Sequence, residues 1–505
     1  MFSQDKLQKL ESYKRLINLG LVLLCLLLET AVFAYQWYGS FRMGIVEGRS
    51  QPFYIKGHLL EIAVYFVILV MFSRMYGGTR LGYVRNAELI FSQIFATGMA
   101  DALIYAEISL MAHRLFPPQG FFIMLGAQAA IVFVYTKIAT FFYCKIFSLR
   151  KLLFVYGDRD PEAIKAKFAT RQDRYAIVEQ IHASIGTDAI CDMIDRLYAQ
   201  GECNSVLLGD IPDGDRTPLL KFCYGKSIRV YQLPKITDII AKGAEILHVF
   251  DSPLLLTREY SLTMEQRFVK RAIDIVCSLI LIVVTTPFML LTALAVKFYD
   301  YGPVFYRQVR VTRGGKEFSI LKFRSMRVDA EKDGARLSCV GDTRVTPIGA
   351  FIRKVRLDEL PQLFNILVGD MSFIGPRPER PEIIAKYQEQ MPEFAYRLKV
   401  KAGLGGFAQV YGKYNTTPYD KLKLDLIYIE NYSLFLDLRL MLLTLKVLFW
   451  PDSTQGVAPG QTTAMLTRVA GSNKEGIAGH ARDAKEGKSA ENSNVGHVDG
   501  RPPLP

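Results

Sequence analysis

The chain has 505 residues, enough for two or three domains, and half of them are hydrophobic, with 12% aromatic. Together with a positive mean hydropathy, this argues against a wholly soluble enzyme and for a polytopic N-terminal part. A net charge of +13 favours anionic partners such as lipid headgroups, nucleotides or nucleic acid.

The seven cysteines (25, 144, 191, 203, 223, 277 and 339) form no CxxC pair and no regular spacing. Their scatter argues against a disulfide framework or a zinc site and for reduced thiols facing a cytosol. No cleavable signal peptide is evident, because a polar basic stretch precedes a full-length apolar segment.

Four segments, roughly 16–38, 57–76, 89–112 and 120–142, are long and apolar enough to span a bilayer. Lys6, Lys9, Lys14 and Arg15 precede the first, Arg74, Arg80 and Arg85 separate the second from the third, and Lys145, Arg150 and Lys151 follow the fourth. Arg42, Arg49 and Lys56 also sit in the first loop, so the bias that makes both ends of the bundle cytoplasmic is real but not clean. Glu29, Glu61, Asp101, Glu107 and Lys137 fall inside the spans. Such groups raise the question of a transport pathway. No broken-helix repeat accompanies them, and pairing within the bundle or placement near its ends is the expectation.

Residues 151–250 change character. LLFVYG (152–157), NSVLLG (204–209) and SIRVYQLP (227–234) read as short buried strands, with helical patterns at about 161–169, 189–200 and 235–243. This alternation suggests a small α/β module with a parallel sheet. The first strand runs into Gly157-Asp158-Arg159-Asp160 and not GxGxxG, so a phosphate-cradling dinucleotide turn is missing. A partner-binding, regulatory or structural role fits better than NAD. Residues 453–505, rich in Gly, Ser, Ala and charge, read as a disordered tail.

Residues 272–296 could cross a membrane by length, yet Lys270 and Arg271 precede them and Lys297, Arg307, Arg310, Arg313 and Lys316 follow. Both flanks therefore prefer the same cytoplasmic side. Thr285-Thr286-Pro287 lies near the middle, where proline removes a helix hydrogen bond and a threonine hydroxyl can satisfy a freed group. A helix that enters, bends at Thr286-Pro287 and returns fits both facts. The alternative, a kinked full span, would strand everything after 300 outside the cell, away from nucleotides.

The chemistry-bearing stretch is RLDELPQLFNILVGDMSFIGPRPER (356–380). Phosphoryl transfer needs a nucleophile, neutralisation of phosphate oxygens and usually a divalent metal. Asp358 and Glu359 can supply nucleophile and metal ligand. Arg377, flanked by prolines, presents a stiffly held donor fork, and Lys322 and Arg324 add a second basic cluster. Asp358 could equally be the N-cap of ELPQLFNIL, with Pro361 tolerated in the first turn, or part of a surface ion-pair network.

KRAIDI (270–275), GPVFYRQVRVTRGGKEF (302–318), LKFRSM (321–326), DTRVTPIGAFIRKVRLDELPQLFNIL (342–367), DMSFIGPRPERPE (370–382) and DLIYIENYSLFLDLRLMLLT (425–444) resemble the bacterial sugar transferase family, almost continuously over 265–450. These are polyprenyl-phosphate hexose-1-phosphate transferases that initiate exopolysaccharide, capsule and O-antigen assembly. The longer arrangement, with four spans and a degenerate nucleotide-binding-like module, resembles the large branch.

The resemblance implies that Asp358 attacks the β-phosphate of a UDP-sugar and releases UMP. The phosphosugar then passes to undecaprenyl phosphate. Glu359 would be the Mg²⁺-associated partner, with Asp358 beside it, while Lys322, Arg356 and Arg377 neutralise phosphates. The family bends its re-entrant helix at Ser-Pro, and Thr286-Pro287 stands there in this chain. Where members commonly read PGITGWAQV, this chain has AGLGGFAQV (402–410), so Ala402 and Phe407 are departures that bear on substrate identity. Tyr428, Asn431 and Asp437 match, as supporting or structural residues.

The expected architecture is an α-helical membrane bundle (1–147), a degenerate Rossmann-like α/β module (148–255), a mixed, mainly α-helical catalytic domain (265–450) with a re-entrant helix (272–296), and the tail. The expected location is the bacterial inner membrane with the catalytic part facing the cytoplasm. A non-catalytic scaffold or sensor of polysaccharide assembly is the alternative, which loss of Asp358 or Glu359 would have favoured. No nucleic-acid-binding module is recognised. The hexose is not decided by any residue, and self-association as a homodimer stays open.

Overall fold

A computed structural model describes residues 13–42, 55–147, 149–157, 160–249, 251–257, 262–328, 342–412 and 416–448. Lys6, Lys9, Arg49, the Asp158-Arg159 pair, Cys339 and the 453–505 tail lie outside the described residues. The chain divides into two compact units: the module from Arg150 to Leu233, and the residues on either side of it, to Leu149 and from Pro234.

The larger unit begins with α1 (Lys14–Gln36), α2 (Ile55–Tyr76), α3 (Asn86–Met111) and α4 (Gln119–Ile146). Each is apolar on most of its circumference, as lipid demands, and each is long and apolar enough to cross a membrane. Phe33 stacks on Tyr65 with ring centroids 4.1 Å apart, and Phe41 on Phe121 at 4.3 Å.

The ionisable residues expected to pair inside the bundle divide. Glu29 and Asp101 are buried in one hydrogen-bonded chain. Thr97 Oγ1 and Gln93 Nε2 donate to Glu29 (2.5 and 2.8 Å), Gln128 Nε2 donates to the Glu29 carbonyl and to Tyr65 OH, and Tyr65 OH donates to Asp101 Oδ1 (2.9 Å). Glu61 is also buried. Lys137 lies on the exposed face, over the Phe133 ring.

The module holds β1 (Arg150–Tyr156), α5 (Pro161–Ala169), β2 (Tyr175–His182), α6 (Thr187–Ala199), β3 (Ser205–Leu208), α7 (Asp213–Gly225) and β4 (Arg229–Gln232). Its parallel sheet has the order β2-β1-β3-β4. Leu152–Val155 and Ser205–Leu208 are buried, so the sheet centre is the run of apolar residues legible in the sequence. β2 was not read as a strand, because it sits at the sheet edge and exposes Val178, Glu179 and Gln180. α7 was missed because Pro218 lies inside it. Gly157 ends β1 where a Cβ would stand 2.2 Å from the Asp210 carbonyl, so its role is close approach of two chains.

From Pro234 the chain belongs to the larger unit, so the module stops some twenty residues short of the expected 255. The reason is α8 (Ile236–Gly243): Ile236 and Ile239 join the larger unit's apolar core, and Gly243 lies against Glu430. A hairpin of β5 (Glu245–Val249) and β6 (Ser252–Leu256) follows.

The next helix, α9 (Met264–Asp300), contains the expected 272–296 segment and Pro287. Thr285 and Thr286 hydroxyls both donate back to the carbonyls of Leu281 and Ile282, at 2.6 Å. A hairpin of β7 (Phe305–Val311) and β8 (Glu317–Phe323) leads to α10 (Pro347–Lys354), α11 (Gln362–Val368), β9 (Ser372–Ile374), α12 (Pro381–Gln390), β10 (Gly403–Gly405), α13 (Phe407–Tyr411), α14 (Pro418–Glu430) and α15 (Leu434–Leu448). β9 and β10 pair in parallel.

Two parts of α9 meet this core. Arg271 donates to the last carbonyls of α11, Ile366 (2.6 Å) and Leu367 (2.7 Å), and Asp274 accepts from Ser372 Oγ and the Phe373 amide. Further along, Met289 and Val296 pack with Phe323 and Ile352.

Candidate active site

The approach to Asp358 is built from local rules. Thr346 caps α10 by accepting from the Gly349 amide (2.9 Å), with Pro347 in the first turn. The helix ends at Lys354, and Arg356 takes a left-handed conformation (φ 59°) that reverses the chain. Leu357–Glu359 then form one 3₁₀ turn. α11 starts only at Gln362, after Pro361, and Asp358 makes no capping bond to it. The N-cap reading of Asp358 therefore falls, because the turn ends before the helix begins.

Asn365, on α11, locks this turn to β8. Its Oδ1 accepts from the Leu321 amide and its Nδ2 donates to the Ser319 carbonyl, both at 2.9 Å. Lys322, the next residue, thereby reaches Glu359, with Nζ 3.5 Å from Oε1. Arg377 Nη2 lies 3.6 Å from the same oxygen, and Arg356 Nη1 lies 3.7 Å from Oε2. Three predicted phosphate-binding cations thus converge on one carboxylate.

Arg324 is not among them. It follows β8, is buried, and packs its guanidinium under Gly302. Thr286 and Pro287 lie within α9.

The two carboxylates differ in environment. Asp358 is 9% exposed, and its Oδ1 has no hydrogen-bond partner among the described residues. Burial, reinforced by the Glu359 charge, pushes its carboxyl up to about 6 against the pull of Lys322, Arg353 and Arg356. Burial alone would raise Glu359 too, but Lys322, Arg377 and Arg356 outweigh it and hold this carboxyl low. Lys322 is itself lowered, by burial first, with Glu359 opposing. The pair is thus split into a carboxylate fixed in its charged form and a less solvated one beside it. The second is the better nucleophile, and the surrounding cations suit phosphate oxygens.

Tyr428 and Asp437 sit behind the site. Tyr428 OH donates to Asp437 Oδ1 (2.8 Å) and contacts the Ile374 carbonyl (3.3 Å), and Lys270 pairs with Asp437. Asn431 bonds locally, its Nδ2 donating to the Ile427 carbonyl. Of the two departures, Ala402 is buried, with its carbonyl accepting from Ser372 N at 2.9 Å, and Phe407 packs on Tyr411. The sequence reading missed Arg397 and Asp425, a buried pair 2.9 Å apart behind Arg377. They are separated by 28 positions and form no motif, so no local signal could have joined them.

A membrane-associated chain with a cation-ringed carboxylate pair defines a class, and comparison with known proteins makes it specific. The profile of the bacterial sugar transferase family matches residues 265–451. A UDP-glucose:undecaprenyl-phosphate glucose-1-phosphate transferase of Caulobacter vibrioides is 38% identical over 189 residues, 36% of this chain and 71% of the relative. A UDP-N-acetylgalactosamine-undecaprenyl-phosphate N-acetylgalactosaminephosphotransferase of Aeromonas hydrophila is 38% identical over 241 residues, 46% of this chain and 56% of the relative. A glucose-1-phosphate transferase of the first kind from Klebsiella pneumoniae is 38% identical over 207 residues, 40% and 43% of the two chains. The chain thus spans about half the length of these last two relatives. It belongs to the bacterial sugar transferase family.

Proposed function

We propose that this protein transfers a hexose-1-phosphate from a UDP-sugar to undecaprenyl phosphate, initiating exopolysaccharide, capsule or O-antigen synthesis. The observation that carries the reading is the Asp358–Glu359 turn, with Lys322, Arg356 and Arg377 gathered on Glu359 within 3.5 to 3.7 Å. An Asp358 carboxylate oxygen attacks the β-phosphorus of the donor, the bond to the bridging oxygen breaks, and UMP departs with that oxygen. An undecaprenyl phosphate oxygen then attacks the same phosphorus and returns Asp358 as a free carboxylate. Arg377, half-exposed at 47%, is placed to share the charge of the phosphate oxygens.

Mg²⁺ is the cofactor this reading calls for. Asp358, with its buried and unbonded Oδ1, and Glu359 would hold it. No cluster of three or more His, Cys, Asp or Glu suited to a metal occurs among the described residues. That suits an ion that keeps waters and takes one or two carboxylates plus substrate phosphates. Once bound it would neutralise the diphosphate.

The membrane setting follows from the five helices long and apolar enough to cross a bilayer. For α9 we favour the re-entrant reading, in the inner membrane with the catalytic part facing the cytoplasm. Residues before and after Pro287 both contact the catalytic segment, and cations flank both ends. The relatives' names divide between glucose and N-acetylgalactosamine, so the donor is left as a UDP-hexose.

The test is UMP release by the detergent-solubilised protein with Mg²⁺, undecaprenyl phosphate and a panel of UDP-sugars, beside Asp358→Asn. Lipid-dependent release with one sugar, lost in the variant, is expected. No release from folded protein with any sugar would instead favour a scaffold of polysaccharide assembly.

A further inference from the structure

The turn that carries Arg377 is anchored through several of its backbone carbonyls. Tyr428 OH reaches the Ile374 carbonyl, the Gly403 amide donates to Pro376 (2.9 Å), and Arg310 Nη1 donates to Pro378 (3.0 Å). The carbonyl of Arg377 itself accepts from Arg397 Nη2 at 3.0 Å.

That bond is set by a buried charge. Arg397 lies on the 3₁₀ segment Pro392–Lys399, with its guanidinium 4.8 Å from the Phe394 ring centroid. The same Nη2 stands 2.9 Å from Asp425 Oδ2, and the two side chains are only 5% and 2% exposed. Asp425 and Tyr428 are three residues apart on α14, so one helix face reaches the Arg377 turn at two points.

A buried ion pair is weak evidence for stability, since well-packed apolar residues of similar volume often hold a fold as well or better. Its presence therefore calls for another reason, and the carbonyl it grips belongs to the arginine that faces Glu359.

Resting on the phosphotransferase reading above, we propose that Arg397 and Asp425 are positioning residues. They touch no substrate, and they hold the Arg377 backbone so that its guanidinium meets the donor diphosphate. An error of about 1 Å in such a group costs up to about a hundredfold in rate.

The test is a cycle in the full-length protein. Arg397→Met and Asp425→Leu are combined to avoid leaving one buried charge, and the pair is placed in both the wild-type and the Arg377→Ala backgrounds. Melting temperature, UMP release, and UDP affinity by calorimetry are read on each. The proposal expects the double variant to melt at or above the wild-type temperature. It also expects kcat to fall about tenfold or more and UDP affinity several-fold, with no further loss of either once Arg377 is alanine.

Equal losses in both backgrounds, a double variant that no longer melts cooperatively, or kcat and UDP affinity within twofold of wild type would each overturn the proposal. Wild-type protein that binds UDP yet releases no UMP would sink the sugar-phosphate reading alone, because the affinity cycle still decides the pair. Wild-type protein that binds no UDP would overturn both.

Discussion

At the residue scale, Asp358 and Glu359 are adjacent carboxylates whose difference is made by their surroundings. Asp358 has its carboxyl pushed up to about 6, mainly by burial. A folded-state value above the unfolded one means that its contribution to stability is present at low pH and lost as pH rises through about 6. Asp358→Asn should therefore raise stability at pH 8 by about 1–3 kcal/mol and change it little at pH 4, as denaturant melts at the two pH values would show. The same group predicts an acid limb in the wild-type rate, because the carboxylate that attacks phosphorus is protonated as pH falls.

Glu359 has the opposite sign. Its low carboxyl stabilises the fold above the usual carboxylate range, and this is lost only in strong acid. Glu359→Gln should cost about 2 kcal/mol at pH 7, because Lys322, Arg356 and Arg377 would then face one another without a countercharge. The pairing of residue types was legible in the sequence. The split between them was not, since it depends on Lys322 and Arg377, brought in from 37 positions before and 18 after.

At the scale of elements, the hairpin and the short helices are held in register by single polar side chains. Asn365→Ala would leave the Leu321 amide and the Ser319 carbonyl without their partners. We expect a loss of about 1–3 kcal/mol in denaturant unfolding, with a fall in UMP release as Lys322 drifts from Glu359. Gly349 makes a sharper prediction. A Cβ there would lie 1.9 Å from the Ser325 carbonyl, so Gly349→Ala should destabilise by several kcal/mol and lower expression of folded protein.

Elements with strong periodicity or unbroken apolar runs were read correctly: the four spans, β1, β3 and α5. β2 and α7 were not, because an edge strand needs only one apolar face and a proline-bearing helix has a weak pattern. For α11 the motif was visible but its start was not, since only the chain reversal at Arg356 shows that the turn before Pro361 is separate.

For the whole molecule, the bundle and the catalytic segment are joined. Arg439 Nε donates to the Met75 carbonyl at the end of α2, and Lys446 Nζ donates to Ser92 on α3 at 2.7 Å. The bundle has its own polar centre, and Tyr65 links Gln128 to Asp101 within it. Tyr65→Phe should cost about 0.5–1.5 kcal/mol in detergent unfolding without changing the KM for the donor, as expected for an interhelical bond inside the bundle.

The sequence by itself determined the class of this protein. Apolar runs, flanking cations and the DE and GPRP motifs are local properties, and lipid solvation and phosphate charge act on them directly. Tertiary structure alone decided which cations meet Glu359 and which one does not (Arg324), where the module ends, and what stands behind Arg377. Those depend on contacts between residues tens of positions apart, whose geometry is fixed only when the helices pack and water leaves the site.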